Sequence, residues 1–505
     1  MSTGEIIKLK VSDKDLDRNQ PSLPHARKAF TELYADEAEA TISVVAYNRL
    51  ETTKRCVESI LKYTTGVKYK LILAYNDNEA GQGILEYYES VDYDNKLIIH
   101  VERNTGAALA YKEILKHIEG KYYVGLANDL IVTTNWLTNL IKCAESDPRI
   151  GMVNPVSSNA SNLQGVQLNF SNYEELQVVA AKFNVSNPAR WEERIRLVTL
   201  GTLITRDCLD ALGNVFDTGF FHDFGDDEIS FRARRAGYKC MVAGDTWIHH
   251  DHDFSSRDPK KLAQSIEAGK KNFSEKYFGL DAWADSCNFR PEYASSVKKC
   301  TSDNPSVLGV DVRCGTPLLE LKNTLRKSGT FNTELFAYTQ ASKYYLDLQT
   351  VCGPENVGCG APECLLNRFG TQKFDYIILG ENINTYKEPM QLLKNMAGLL
   401  KEDGQLFVSL KNTHDFFSFV YEIGCFNVGS PERATDYSLE QFVVEVRKQG
   451  LNAKFITRIP YADGAIPKED ISSVTTMVSG IAKNKLGEVM GRLLTDRYAF
   501  EITKG

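Results

Sequence analysis

Four apolar stretches in the first 130 residues end in polar residues, with helical segments between most of them. TISVVAY runs into Asn48, and the amphipathic NRLETTKRCVESILKYT follows. Then come KYKLILAYN, NKLIIHVERN, the helical TGAALAYKEILKHIEG, and KYYVGLAND. Strands that alternate with helices build βαβ units, and these assemble into a largely parallel sheet. Ligands of such sheets bind beyond the carboxyl ends of the strands. Here those ends read Ala46-Tyr47-Asn48, Asn76-Asp77, Asn104 with Gly106, and Asn128-Asp129. They form the candidate site edge.

The rest of the chain divides by pattern. Residues 1–39 are polar and charged, with Pro21 and Pro24, and read as an extension or an arm packed on the first domain. Residues 150–200 are less regular and rich in Asn and Ser, and read as an acceptor-side loop. RLVTLGTLITRDCLDALGNVFD resumes strand-helix alternation and leads to FGDDEISFRARRAGY. KCMVAGDTWIHHDHDFSS then reads as a strand ending in His249, His250 and His252. Residues 258–303 read as a helical linker, and a second α/β domain is expected over 304–505.

Composition narrows the function classes. A chain of 505 residues suggests about two to four domains. Its 43% hydrophobic and 25% charged content are those of a soluble globular protein. A net charge of −7 gives no support for a nucleic-acid surface. No apolar run approaches the roughly 20 residues that span a bilayer. The N-terminus lacks the pattern of a secretory signal. The eleven cysteines are dispersed and odd in number, which fits reduced intracellular thiols. The expected location is the cytoplasm.

Asp226, Asp227 and Glu228 stand in a row at the start of a helix-like stretch. One acid suits a helix start, but three exceed what capping needs. Asp129 and His250 end two strands more than a hundred residues apart. An Asp oxygen and a His nitrogen can share Mn²⁺ or Mg²⁺, and Mn²⁺ tolerates imidazole better. A metal there could neutralise a diphosphate, and a nearby carboxylate could act as a general base.

In this order the segments resemble the inverting GT-A glycosyltransferases of family 2, over roughly residues 40–257. SVVAYNRLETTKRCVESIL is similar to the family's first strand and helix, where Ala46, Tyr47 and Asn48 meet the nucleotide base. AYNDNE resembles its second strand end, with Asn76 or Asp77 as the nucleoside contact. NTGAALAYKEIL resembles the Asn-x-Gly helix start, with Asn104 and Gly106. LANDLIVTTNWL is similar to the metal-binding segment, with Asn128 and with Asp129 as the metal carboxylate. GDDEISFRARRAGY resembles the acidic catalytic motif. Counting back from Arg232 puts Glu228 at the family's second acid and Asp226 at its base, with Asp227 as the alternative. WIHHDHDFSS is similar to the closing segment, with His250 as metal ligand and His249 or His252 as alternatives.

The second half resembles a class I S-adenosylmethionine-dependent methyltransferase. VLGVDVRCGTPLLEL matches its first strand, turn and helix, and FDYIILGENINTYKEPMQLLKNMAGLLKEDGQLFVSLKN its later elements. The cofactor turn departs, with Arg313, Gly315 and Pro317 at positions that need small residues. The acid expected at the end of the next strand is absent from ELFAYTQAS. The resemblance therefore implies a degenerate fold serving as an acceptor or partner module, with S-adenosylmethionine a doubtful ligand.

Together the resemblances imply two Rossmann-like α/β domains, the first a GT-A domain and the second methyltransferase-type. The first implies a metal-dependent hexosyltransferase using a nucleotide-sugar, with UDP favoured, and a glycan or protein acceptor. Bacterial surface-glycan assembly or flagellin glycosylation is the expected setting. The alternatives are a bifunctional glycosyl- and methyltransferase and a non-catalytic sugar-nucleotide-binding scaffold.

Overall fold

The computed structural model describes residues 5–12, 38–77, 82–106, 108–217, 219–220, 223–251, 258–298, 302–423 and 435–504. His252 lies outside these residues. The chain divides into two compact units, Met1–Cys287 and Asn288–Gly505.

The first unit is built on β1 (Glu5–Leu9), β2 (Ala40–Ala46), β3 (Tyr69–Asn76), β4 (Lys96–Val101), β5 (Tyr122–Ala127), β6 (Leu130–Ile131), β7 (Ile150–Ser157), β8 (Trp191–Arg194), β9 (Thr202–Thr205) and β10 (Lys239–His250). The sheet runs β1-β4-β3-β2-β5-β9-β7-β10-β6, and β8 pairs with β10 off this path. β1 to β5 pair in parallel, as do β7 and β10. β9 runs antiparallel between β5 and β7, so those two point the same way. The carboxyl ends of seven strands therefore share one edge. The extension contributes β1, whose Glu5 pairs with Leu97 at the far side of the sheet.

The central strands are apolar because helices cover both faces. Successive residues of β3 face opposite ways. Leu71 and Leu73 join one core with Ile42, Val44 and Trp136, while Ile72 and Ala74 join the other with Leu97, Ile99 and Trp247. The entry to β5 requires glycine. Gly120 takes φ +79°, and a Cβ there would lie 2.3 Å from the Glu39 carbonyl oxygen.

The second unit carries β11 (Ser306–Val310), β12 (Glu334–Thr339), β13 (Val357–Cys359), β14 (Phe374–Asn382), β15 (Leu400–Lys411), β16 (Leu451–Pro460) and β17 (Thr495–Lys504). Its sheet runs β13-β12-β11-β14-β15-β17-β16, parallel as far as β15, with β17 antiparallel to both its neighbours. Both units are thus α/β with largely parallel sheets. Among the described residues no helix is long and apolar enough to cross a membrane.

One buried amide sets the path of β10. The Nδ2 group of Asn184 donates to Thr133 Oγ1 (2.9 Å), Thr134 O (2.9 Å) and Trp247 O (3.2 Å), while the Trp247 N–H donates to Asn184 Oδ1 at 2.7 Å. The register of β10 against β7 shifts between Ala243 and Trp247, and the Asn184 side chain serves the backbone at the end of that shift. Truncation would leave buried backbone groups without their partner, at about 1–3 kcal/mol for each. We expect Asn184→Ala to lower the unfolding free energy by about 2 kcal/mol or more, read by urea denaturation.

Candidate active site

The carboxyl edge of the first sheet gathers residues from six chain segments. At the end of β2, Tyr47 is exposed and Ala46 is buried in the core. Asn128 is also buried; its Nδ2 donates to Asn48 O (2.7 Å) and Thr53 Oγ1 (2.8 Å), so it ties the turn after β2 to the end of β5. At the end of β3, Asn76 turns inward and donates to Gly106 O at 3.0 Å. The Asn104 side chain accepts from the Gly106 N–H at 2.9 Å and shapes that turn. Asp77 faces outward, its side chain 42% exposed, held by His100 Nε2 (2.9 Å) and the Tyr75 hydroxyl (3.1 Å). Between Asn76 and Asp77, exposure favours Asp77 as the group open to a ligand.

Asp129 and His250 meet through backbone pairing. β6 follows Asp129 directly and pairs antiparallel with the end of β10, Leu130 opposite His250 and Ile131 opposite His249. The Asp251 N–H continues the ladder to Asp129 O at 2.8 Å. The Nε2 atom of His250 then lies 3.5 Å from Asp129 Oδ2. The other ring nitrogen, Nδ1, is 2.9 Å from the Asn159 carbonyl. A carbonyl only accepts, so Nδ1 carries the proton. In the neutral ring this leaves the Nε2 lone pair facing the carboxylate, the tautomer that binds a metal. The pair thus fits Mn²⁺ or Mg²⁺ as two protein donors. Among the described residues no group of three or more His, Cys, Asp or Glu side chains converges on one point. The Arg49 guanidinium stands 4.0 Å from Asp129 Oδ2, on a backbone at φ +66°.

His249 faces elsewhere. Its ring packs edge-on against Phe170, centroids 5.2 Å apart, and Nδ1 lies 3.0 Å from Ser158 Oγ. Burial lowers its pKa. Asp251 is held by Arg55 at 2.9 Å and by the Tyr173 hydroxyl at 3.1 Å.

The three acids occupy the first turn of the helix Gly225–Arg235, whose N-cap position is Phe224 at φ +69°. None of the three is therefore the N-cap. Asp227 and Glu228 are 1% exposed. Asp227 pairs with Arg196. Burial lifts the Asp227 carboxyl to about 6 despite that guanidinium. Glu228 accepts from Arg232 (2.8 Å), Lys276 (2.6 Å) and the Tyr277 hydroxyl (3.2 Å). Lys276 ends the helix Pro259–Lys276, whose Phe273 packs on Phe231 with centroids 5.0 Å apart. Asp226 keeps partial exposure and accepts a hydrogen bond from Thr199 Oγ1. Burial and then the charge of Asp226 push the Tyr111 phenol up to about 12. Sequence reading missed Thr199, Arg196, Asn159 and Arg55. Their contacts span 27 to 196 residues of sequence, and no local pattern marks them.

Residues 41–197 match the family model for glycosyl transferase family 2. The family 2 segment holds the ends of β2, β3 and β5, including Asp129; the acidic turn and His250 lie beyond it. A search of curated proteins found no match. Among solved structures, GalNAc-T7 with UDP, GalNAc and Mn²⁺ is 17% identical, covers 53% of this chain and 53% of its own, and gives a TM-score of 0.36. The chain thus spans about half the length of that structure. The mannosyltransferase PcManGT from Pyrobaculum calidifontis, in complex with GDP-Man and Mn²⁺, is 15% identical, with 52% and 76% covered and a TM-score of 0.33. PKMT2 from Rickettsia typhi in complex with AdoHcy is 14% identical, with 43% and 53% covered and a TM-score of 0.28.

In the second unit the turn after β11 tests the implied cofactor. Arg313 takes φ +54°, a conformation that glycine adopts freely, and its Nε donates to Glu381 at 2.7 Å. The Asp311 carboxylate accepts from Gln340 N (2.8 Å), Gln340 Nε2 (2.7 Å) and the Tyr386 hydroxyl (2.7 Å). Gln340 follows the end of β12, where an acid for ribose hydroxyls is expected. A long side chain at the tight turn and an amide in place of the acid do not fit S-adenosylmethionine.

The Asp129–His250 pair makes a binding prediction. We expect Mn²⁺ with UDP to raise the melting temperature of the native chain by mass action. Asp129→Asn and His250→Ala should each remove the Mn²⁺-dependent part of that rise in a thermal-shift titration.

Proposed function

We propose that the chain is a metal-dependent hexosyltransferase. It moves a sugar from a nucleotide-sugar, UDP-sugar favoured, to an acceptor hydroxyl with inversion. The observation that carries this reading is the convergence at one sheet edge of Asp129, His250 and, through Thr199, the partly exposed Asp226. The family 2 match over residues 41–197 supports the same class.

The chain's own groups divide the work. Exposed Tyr47 offers a ring face to the nucleotide base, and the outward carboxylate of Asp77 accepts from a base N–H such as that of uracil. Asp129 and His250 would hold Mn²⁺ or Mg²⁺, which when bound would supply positive charge to the leaving diphosphate. Asp226 accepts the proton of the acceptor hydroxyl as its oxygen bonds to the anomeric carbon. The bond from that carbon to the diphosphate oxygen breaks on the opposite face, and the configuration inverts. Asp227 pairs with Arg196 and Glu228 with Arg232 and Lys276, and both carboxylates are buried, so neither is open to the acceptor hydroxyl. The acceptor is a glycan or a protein hydroxyl, in the setting of bacterial glycan assembly or flagellin-type glycosylation.

General-base catalysis contributes roughly 10²- to 10⁴-fold. Asp226→Asn should lower transfer by about that factor while UDP and Mn²⁺ still raise the melting temperature. Undiminished transfer in a folded variant would overturn the assignment.

The poor fit of the turn after β11 disfavours the bifunctional reading. Isothermal titration of the full chain with S-adenosylmethionine should show no saturable heat. Saturable binding would restore methyl transfer as a second activity.

A further inference from the structure

We propose that Thr199 is a positioning residue for Asp226, presented by a strap over residues 196–200 that holds the acidic helix turn in register with the sheet edge. This rests on the proposed transferase reading and deepens it.

The strap has no secondary structure of its own and is fixed by side chains from three other elements. Asn154, on β7 and fully buried, donates to Val198 O (2.8 Å) and accepts from the Leu200 N–H (3.2 Å). Gln164, also fully buried, accepts from the Val198 N–H (2.8 Å) and donates to the same Val198 O (3.0 Å). On the helix side, fully buried Ser230 accepts from the Leu197 N–H (3.1 Å) and donates to Asp226 O (2.7 Å). The amides of Asn154 and Gln164 thus each bind one strap N–H and the Val198 carbonyl. Such bonds in a buried setting hold a backbone to one conformation.

From this fixed backbone two side chains reach the acidic turn. Arg196 takes Asp227, and Thr199 takes Asp226. The two contacts differ in kind. The Arg196 pair is buried and satisfies a charge. The Thr199 hydroxyl donates to Asp226 Oδ1, on a carboxylate that remains partly exposed. A hydroxyl bonded to one carboxylate oxygen fixes the plane of the group and so the direction of the other oxygen. Glycine follows at once: Gly201 takes φ +66°, and a Cβ there would lie 3.0 Å from Ile248 Cδ1 and 3.1 Å from Leu126 Cδ2. Its bare backbone lets the strap lie against the ends of β5 and β10, the strands that lead to Asp129 and His250. The acidic turn therefore takes its position from the same strand ends that bring the metal-binding pair together.

Misplacement of a reacting group by about 1 Å costs on the order of a hundredfold in rate. Thr199→Val keeps the shape and removes the donor. It should lower kcat by about tenfold or more and leave the donor KM unchanged, and Thr199→Ser should restore most of the loss. In the Asp226→Asn background, Thr199→Val should have no further effect on kcat. Equal rates in Thr199→Val and the native chain, with transfer present, would overturn this proposal and leave the transferase reading intact. A native chain inert with every nucleotide-sugar would instead overturn the transferase reading. Thr199 and Asp226 are then still tested by a double-mutant cycle on urea unfolding. Coupling between the two substitutions supports the contact, and additive effects overturn it.

Discussion

The site depends on a two-residue piece of antiparallel sheet. Leu130 and Ile131 are too short a strand to be stable alone. Their pairing with His250 and His249 closes the edge of the first sheet. It also brings an aspartate and a histidine more than a hundred residues apart to 3.5 Å. Both side chains are nearly buried, so the pairing must be held by something stronger than two ladder bonds. The amide of Asn184 supplies that, binding the segment after β6 and the β10 backbone at once. The Asn159 carbonyl then selects the His250 tautomer. A one-residue slip of β10 would turn His249 toward Asp129 and send His250 into the aromatic face now filled by Phe170 and Trp247.

The three adjacent acids are tolerable because each meets a different environment. Two buried carboxylates cost several kcal/mol of desolvation unless paired and hydrogen-bonded. Asp227 has Arg196, and Glu228 has Arg232, Lys276 and Tyr277. All three also lie in the first helical turn, where the helix dipole favours negative charge. Local sequence made the run look like self-repulsion. The long-range cations turn it into two satisfied structural acids beside one carboxylate that keeps contact with solvent.

Much of the architecture was legible because strand and helix periods differ and because parallel sheets put their ligands at one edge. The polar strand ends at Tyr47, Asp77 and Asp129 were found that way. The roles within that edge were less legible. Asn128 and Asn76 carry the same chemistry as a ligand contact, yet the fold uses both to tie turns together. The Asn- and Ser-rich stretch 150–200 read as an acceptor-side loop. In the structure Asn154, Gln164 and Asn184 are buried there and hold backbone from distant segments. Polar composition signals exposure only when nothing else in the fold needs a buried amide. That need arises wherever backbone leaves regular structure inside a core, and no local pattern announces it.

The two units show how one fold class reaches different ends. In each, a parallel sheet delivers an acid just beyond a strand: Asp129 after β5 and Asp311 after β11. Asp129 meets a histidine whose lone pair faces it, with the Arg49 guanidinium 4.0 Å away. Asp311 meets three donors from the chain itself. A carboxylate with that many short donors from its own fold gains little from a ligand hydroxyl, because any new bond must displace one already made in a dry setting. The strand end that meets a histidine in the first unit is, in the second, met by donors of the turns beside it. That difference lies in a few side chains at the turns and not in the topology, so the fold of the second unit does not by itself imply methyl transfer.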